Sequence, residues 1–207
     1  MDDLEQKRQR FEQSGRFPVK RVAAIGAVVV IVLFAGFAAY QQFFTASPVG
    51  GATVASQVTY PSGQVQMVKL GSVQQSPQGV MLPLAQVKSN YIVGFDYQRT
   101  NPVPDDFKAA AGGNVLPMLS YVAPSGRLVV ATAFCEPCRS TTFHIEGNNL
   151  VCNTCFTKWD LNTLKGVEGG CTAYPPKEIT AQVQGDQVQI PTAPLEAWAP
   201  RGLGQSN

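Results

Sequence analysis

The chain has 207 residues, and its sixteen Lys and Arg nearly balance its fourteen Asp and Glu, for a formal net charge of +2. This balance gives no reason to expect nucleic acid or another strongly charged partner. A charged fraction of 14 %, with 19 Gly and 15 Pro, is typical of short strands and turns and disfavours a protein built from long amphipathic helices.

The first predicted element is a transmembrane helix at residues 22–44. They read VAAIGAVVVIVLFAGFAAYQQFF, and the first nineteen contain neither a charge nor a proline. A helix of that length approaches the ~30 Å hydrocarbon thickness of a bilayer, and it is apolar on every face. A cleaved signal peptide is the alternative, but the apolar core and the leader before it are both long for one.

The flanking charges predict the orientation of this helix and the domains around it. The leader, residues 1–21, carries six Lys or Arg and four acidic residues. In residues 45–94 the only basic residues are Lys69 and Lys88. The positive-inside rule then places the leader in the cytoplasm and the rest of the chain outside, as a single-pass protein of the cell membrane. Residues 45–58 are small and polar and predict a flexible tether. We expect a β-rich ectodomain at 59–193 and a loosely attached tail at 194–207, in which Trp198 could contact a partner or the lipid surface.

The ectodomain is predicted to be mainly β, with cysteines on loops between strands. Runs rich in β-branched residues and bounded by turns predict strands at 65–70, 80–87, 91–97, 118–122, 127–133, 150–151, 157–161, 179–183 and 187–190. The turn signals PSG at 124–126 and GD at 185–186 predict two hairpins. One short helix is predicted at 105–111, since acids stand in its first turn and two glycines follow its end.

Two Cys-x-x-Cys pairs carry the strongest chemical signal. Cys135 and Cys138 are separated by thirteen residues from Cys152 and Cys155, and Cys171 follows fifteen residues later. Each pair closes a tight turn that points two thiolates at one ion, and two such turns complete a tetrahedral sulfur set. The segment 134–176 therefore predicts a metal site held by the two pairs, with Cys171 as a fifth ligand or a support.

Other uses of these residues remain open. Disulfides form outside the membrane, but a Cys-x-x-Cys bridge closes a very small ring and leaves one cysteine over. A thioredoxin-like dithiol would need a helical pattern after the motif, and c-type haem attachment would need a His where Arg139 and Phe156 stand. The chain's only histidine, His144, is a further candidate ligand, although four sulfurs already satisfy a tetrahedral ion.

The stretch GRLVVATAFCEPC…FHIEGNNLVCNTCFTKWDLNTLKGVEGGCTAYPP, at 126–176, resembles the FtrD-like family of membrane iron–sulfur-containing proteins. The resemblance rests on a strand ending in Cys-x-x-Cys, on G-x-x-L-x-C-x-x-C, and on a closing Gly-Gly-Cys followed by prolines. It extends over roughly residues 79–193. It implies an extracytoplasmic domain with an iron–sulfur centre, associated with membrane systems that import iron or move electrons. Many relatives carry additional membrane spans, whereas one is predicted here.

A looser similarity concerns the layout of a Rieske domain, in which two ligand loops lie at one tip of a small β-sandwich. Cys138 and Cys155 stand where that domain has its histidine ligands. The fold class expected from both resemblances is a small Rieske-like or zinc-ribbon-like β-sandwich ectodomain. No twin-arginine signal precedes the apolar segment, so export in an unfolded state would deliver the chain without a cluster. Zinc is therefore the alternative metal.

Three functions follow as hypotheses. The first is a membrane-anchored metal-binding protein, iron–sulfur in kind, that acts in electron transfer or iron handling beside a membrane partner. The second is a zinc- or disulfide-braced structural subunit of a membrane complex, and the third is a thiol–disulfide oxidoreductase. Catalysis is not expected, because the sequence shows no Ser/His/Asp set, carboxylate dyad or phosphate loop, and no small-molecule substrate is evident.

Overall fold

The computed structural model describes residues 51–202, and this part of the chain is mainly β, as predicted. Its strands are β1 Gln64–Gln66, β2 Val68–Lys69, β3 Gln74–Ser76, β4 Gly79–Pro83, β5 Ile92–Gln98, β6 Val115–Val122, β7 Leu128–Thr132, β8 Phe143–Glu146, β9 Asn149–Cys152, β10 Lys158–Asp160, β11 Gly166–Glu168, β12 Gln182–Gln184 and β13 Gln187–Ile190. Its helices are α1 Leu84–Asn90, α2 Asp105–Ala111 and α3 Thr192–Glu196.

The predicted leader and transmembrane helix, residues 1–44, lie outside the described residues. Within residues 51–202 no helix has the length and apolarity needed to cross a bilayer.

The strands form three sheets. One sheet has the order β1-β8-β9-β10-β11, the second β12-β13-β4-β3, and the third β2-β5-β6-β7. All neighbours in these sheets are antiparallel except β2 and β5, which run parallel. Hairpins connect most neighbours, which is why short sequence runs separated by turn residues suffice to build the sheets.

The β2-β5-β6-β7 sheet is covered on both faces. Alternate residues of its strands enter two separate hydrophobic cores, so that Val93 and Phe95 lie in one core and Ile92 lies in the other. The same alternation puts Val130 in the first core and Val129 in the second. Burial on both faces explains why the strand 127–133 reads as a continuous apolar run rather than an alternating one.

Both predicted hairpin turns are present. The β6–β7 turn contains Gly126 at φ +83°, where a Cβ would lie 1.8 Å from the carbonyl oxygen of Ala55. That close approach lets the chain before β1 lie along the turn, and Val54 N and Val58 N donate to the carbonyls of Gly126 and Pro124, at 2.8 and 3.1 Å. Residues 54–58, expected to be part of a flexible tether, are therefore bound to the domain.

Three predicted strands differ in the structure, and the run 179–183 is a strand only at its end, because β12 begins at Gln182. The run 65–70 is split at Met67, since β1 pairs with β8 while β2 pairs with β5 in another sheet. The run 80–87 ends as a strand at Pro83, and LAQVKSN continues as α1. Proline cannot donate a ladder hydrogen bond but suits the start of a helix, and Leu, Ala, Gln and Lys favour the helical state.

The helix α2 occupies the predicted residues 105–111. Gly112 adopts the left-handed conformation at φ 80°, and its N–H donates to the carbonyl of Lys108. This is the glycine C-cap that the two glycines predicted.

The segment after β13 belongs to the folded domain. Leu195 and Trp198 are buried, and the Trp198 ring stacks on Phe134 with centroids 5.1 Å apart and an interplanar angle of 12°. Phe107 of α2 meets the same indole edge-on at 5.7 Å. Residues 194–202 were expected to form a loose tail. Instead, Leu195 and Trp198 of this segment are part of the first hydrophobic core, together with Phe107 of α2.

Candidate metal centre

The first cysteine loop follows β7 and contains Cys135 and Cys138. The backbone N–H of Cys135 donates to the carbonyl of Ser140 at 2.9 Å, which closes the loop. Arg139, directly after the pair, adopts a left-handed conformation at φ 61°. This left-handed residue lies within the turn that the Cys135–Ser140 hydrogen bond closes.

The second cysteine loop repeats this geometry. Cys152 ends β9, and its N–H donates to the carbonyl of Thr157 at 3.0 Å, again five residues further along the chain. Phe156, directly after the pair, is left-handed at φ 57°. Sequence reasoning missed this shared turn because glycine usually marks a left-handed position, and neither Arg nor Phe signals one.

A third loop brings Cys171 to the other two, and Thr157 is the contact that holds it there. The N–H of Cys171 donates to Thr157 Oγ1 at 3.2 Å, and the Cys155 thiol donates to the same oxygen at 3.3 Å. Gly169, at φ +105°, passes so close that a Cβ would lie 2.6 Å from Thr157 Oγ1. The Gly-Gly-Cys motif therefore lets the backbone approach the second cysteine loop.

The sulfurs of Cys135, Cys138, Cys155 and Cys171 all lie within 4.8 Å of one another, and we call them the sulfur quartet. Cys152 lies outside this group, with its sulfur 3.7 Å from that of Cys138. The Cys135 and Cys155 sulfurs are also 3.7 Å apart, so both short contacts join the two loops instead of lying within one Cys-x-x-Cys pair. All five cysteines are free thiols.

The 3.7 Å separation of the Cys135 and Cys155 sulfurs matches the edge of a small tetrahedron. With metal–sulfur bonds of about 2.3 Å, four sulfurs around one ion stand roughly 3.8 Å apart. An all-sulfur donor set suits zinc, iron and iron–sulfur centres and does not suit magnesium or calcium, which take oxygen ligands. The residues present therefore fit a thiolate-bound metal.

The thiols strongly influence one another. Hydrogen bonding from the Cys135 thiol, helped by the backbone N–H groups of Cys155 and Thr154, lowers the pKa of Cys152 to about 4. The same hydrogen bond raises the pKa of Cys135. Burial raises the pKa of Cys138 to about 12 and also raises that of Cys171. Without a metal, the pocket therefore favours a thiolate at Cys152 and keeps Cys135, Cys138 and Cys171 protonated.

The centre lies at the edge of the second hydrophobic core. Phe143 and Trp159 belong to the same core as Cys135, Cys152 and Cys171. Two other aromatic residues adjacent to cysteines in sequence do not, since Phe134 packs in the first core and Phe156 is 66 % exposed. Cys138 and Cys155 are only partly buried, so this is the side on which the centre approaches the surface.

His144, the further candidate ligand, does not lie with the sulfur quartet in the group of side chains that could share one ion. It lies on β8 between Phe143 and Ile145, whose side chains enter the core that contains the cysteines. Because side chains alternate along a strand, His144 faces the other side of the sheet, where its Nδ1 is 2.6 Å from Asn153 Oδ1. It is buried, and its Nε2 has no hydrogen-bond partner.

Fold and site together define a mainly β protein with a compact cluster of cysteines that could hold a metal ion. Residues 105–201, which include all five cysteines, match the model of a family described as membrane iron-sulfur containing protein FtrD-like. The resemblance found in the sequence is thereby confirmed over this segment. No curated protein matches the chain.

Proposed function

We propose that this protein carries one thiolate-bound iron centre on the outer side of a membrane and passes electrons through it to or from a membrane partner. The proposal is supported by the convergence of sulfurs from three separate loops on a space within 4.8 Å, and by the iron–sulfur description of the matching family. A bound iron centre would supply one-electron redox chemistry that no side chain of the chain offers.

The chain's own residues would hold and shield that centre. The three loops supply the ligands, and Cys135, Cys152 and Cys171 are buried while Cys138 and Cys155 reach the surface. Phe143 and Trp159 exclude water from the inner side, which affects the redox potential of a thiolate centre. A dry inner wall and a partly open outer wall suit electron exchange with a docked partner better than turnover of a substrate, so we propose no enzymatic activity.

The partner would meet the second cysteine loop. Phe156 directly follows Cys155 and is 66 % exposed, so an apolar side chain stands next to a partly exposed ligand sulfur. We propose an integral membrane or redox protein as the partner. The predicted helix at 22–44 would keep the domain beside it, with the leader in the cytoplasm. The Rieske-like arrangement of two ligand loops at one tip is part of this proposal.

A structural zinc site is the second candidate, and the sulfur spacing favours it specifically. The 3.7 Å separation between the Cys135 and Cys155 sulfurs agrees with the roughly 3.8 Å edge of a single tetrahedral ion. Sulfurs bound to different metals of a cluster point away from the cluster centre and stand farther apart. In this alternative the ion would brace three loops of a subunit and would not change oxidation state.

Metal and sulfide analysis of the full-length protein, purified anaerobically in detergent, separates these functions. Iron with acid-labile sulfide, and absorbance that bleaches on reduction, supports the iron–sulfur proposal. Iron without sulfide indicates a single redox ion and keeps the electron-transfer function. Stoichiometric zinc without a redox response replaces the proposal by the structural one. Metal-free cysteines that cycle between thiol and disulfide would indicate an oxidoreductase instead.

A further inference from the structure

A buried ion pair connects the C-terminal segment to the first cysteine loop. Glu136 stands between the two cysteines of that loop, and its side chain is only 2 % exposed. Arg201 holds its carboxylate, because Nε and the backbone N–H of Arg201 donate to Glu136 Oε2 at 2.8 and 3.2 Å. A glutamate in the x position of a Cys-x-x-Cys loop is thus neutralised from the far end of the domain.

Arg201 also reaches the loop that follows Cys171. Its Nη2 donates to the carbonyl of Pro175 at 2.6 Å, and its guanidinium lies 5.5 Å from the centre of the Tyr174 ring. The Arg201 side chain is itself 11 % exposed. The Arg201 guanidinium therefore links the first cysteine loop to the loop that carries Cys171.

No other side chain bonds the Glu136 carboxylate within residues 51–202. Its Oε1 is buried without a hydrogen-bond partner. The nearby Arg139 donates to the Glu136 backbone carbonyl, but its charge is paired with Asp106 at 2.6 Å. The neutralisation of Glu136 therefore depends on Arg201.

This charge matters because of the centre beside it. Metal-binding cysteines are deprotonated, and four thiolates carry more negative charge than a divalent or trivalent ion supplies. A buried carboxylate in the same loop adds to that excess, and a buried charge without its partner is strongly unfavourable. A cation at Arg201 offsets both effects.

We propose that Arg201 is a positioning residue of the metal centre, which holds the first cysteine loop through Glu136 and neutralises the buried charge between Cys135 and Cys138. This inference rests on the proposed function for the presence of the metal, but not for the contacts. The C-terminal segment then controls how firmly the centre is retained and, for a redox metal, at which potential it works.

The test compares full-length wild-type protein with Arg201→Met, Arg201→Lys and the double variant Glu136→Gln with Arg201→Met. Arg201→Met should bind the metal roughly 10–100-fold more weakly, the size of effect typical of residues that support metal ligands, and should therefore lose it to a chelator faster. For a redox metal its midpoint potential should fall, because an uncompensated negative charge disfavours reduction. Arg201→Lys keeps the charge and should retain a potential close to that of the wild type.

The double variant separates charge from packing. It removes both charges, so its midpoint potential should return towards that of the wild type. Equal metal release and equal potential in Arg201→Met and wild type would overturn the proposal, as would a double variant whose potential stays as low as that of the single one. If the metal is redox-inactive, the rates of metal release alone decide whether Arg201 has this positioning role.

Failure of the proposed function gives a different result. Wild-type protein that contains no metal would refute the metal centre. The positioning role of Arg201 would then be tested by the rate of cysteine alkylation. Iodoacetamide should then modify Cys138 faster in Arg201→Met than in wild type, and equal rates would overturn the positioning role.

Discussion

Cys171 shows the limit to identifying the candidate ligands of this site from sequence motifs. Its spacing gives no Cys-x-x-Cys partner, yet its sulfur belongs to the sulfur quartet, whereas that of Cys152 does not. The two pairs predict that four sulfurs lie near one another, and the structure adds that of Cys171. Which four are close enough to share an ion depends on the path of the 169–171 loop over Thr157, a tertiary contact that the Gly-Gly-Cys motif permits but does not specify.

Replacing Cys171 by Ser tests this membership. We expect Cys171→Ser to lower the metal bound per chain as much as Cys138→Ser does, because both remove one corner of the sulfur quartet. Elemental analysis after anaerobic purification measures the effect. Full metal content in Cys171→Ser together with complete loss in Cys152→Ser would show instead that the two pairs alone bind the metal.

Glu196 gives a prediction for the effect of pH on stability. Burial would raise the pKa of its carboxyl, but hydrogen bonds from the backbone N–H groups of Asn101 and Thr100 and from the Tyr97 hydroxyl outweigh burial and lower it to about 2. A depressed pKa contributes stability above the ordinary value of 4.5, and this contribution is lost as the pH falls towards 2.

Glu196→Gln should therefore be less stable than wild type at pH 7, and the gap should narrow as the pH falls from 4.5 towards 2. Urea unfolding midpoints of both proteins across that range measure it. A gap that stays constant with pH would show that the carboxylate charge contributes nothing to stability.

Among the elements, the Gly-Gly-Cys loop is the one on which the centre most depends. Gly169 combines a left-handed φ of +105° with a close approach to Thr157, whereas a Cβ at Gly170 would meet nothing within 4 Å. The two adjacent glycines form a matched pair in which only the first is required by the structure.

Gly169→Ala should destabilise the domain by about 1–3 kcal/mol, from strain and from displacement of the loop that carries Cys171. It should also accelerate metal release to a chelator, while Gly170→Ala should resemble wild type in both assays. Denaturant unfolding and chelator kinetics provide the measurements. Equal behaviour of the two variants would show that the loop does not depend on this approach.

Elements whose sequence carries its own start and stop signals were predicted well. The helix at 105–111 has acids at its beginning and glycine at its end, and the hairpins at 124–126 and 185–186 have clear turn residues. Elements defined by tertiary contacts were not. The split of the 65–70 run depends on which of two sheets each half meets, and α1 depends on how Pro83 ends β4.

At the scale of the whole molecule, the C-terminal segment joins the hydrophobic core to the metal centre. Trp198 stacks on Phe134, which directly precedes Cys135, and Arg201 holds Glu136 on the other side of that cysteine. The sequence indicated a loose tail because prolines and glycines interrupt it, and periodicity cannot reveal that one tryptophan fills a gap in a distant core.

Trp198→Ala should lower the free energy of unfolding by about 3–5 kcal/mol, the usual effect of emptying a buried aromatic site. Trp198→Phe should cost less, because it keeps a ring and the Trp198 Nε1 has no hydrogen-bond partner to lose. Denaturant unfolding followed by far-ultraviolet circular dichroism measures both. A Trp198→Ala variant as stable as wild type would mean that the segment is indeed a loose tail.

The central claim is that sulfurs from three loops share one metal centre, and X-ray absorption at the metal edge of the full-length protein tests it most directly. The structure predicts a first shell of four sulfurs at about 2.3 Å. A short metal–metal distance would identify a cluster, and its absence a single ion. A first shell made mainly of nitrogen and oxygen, or protein without metal whose cysteines are joined in S–S bonds, would contradict the account.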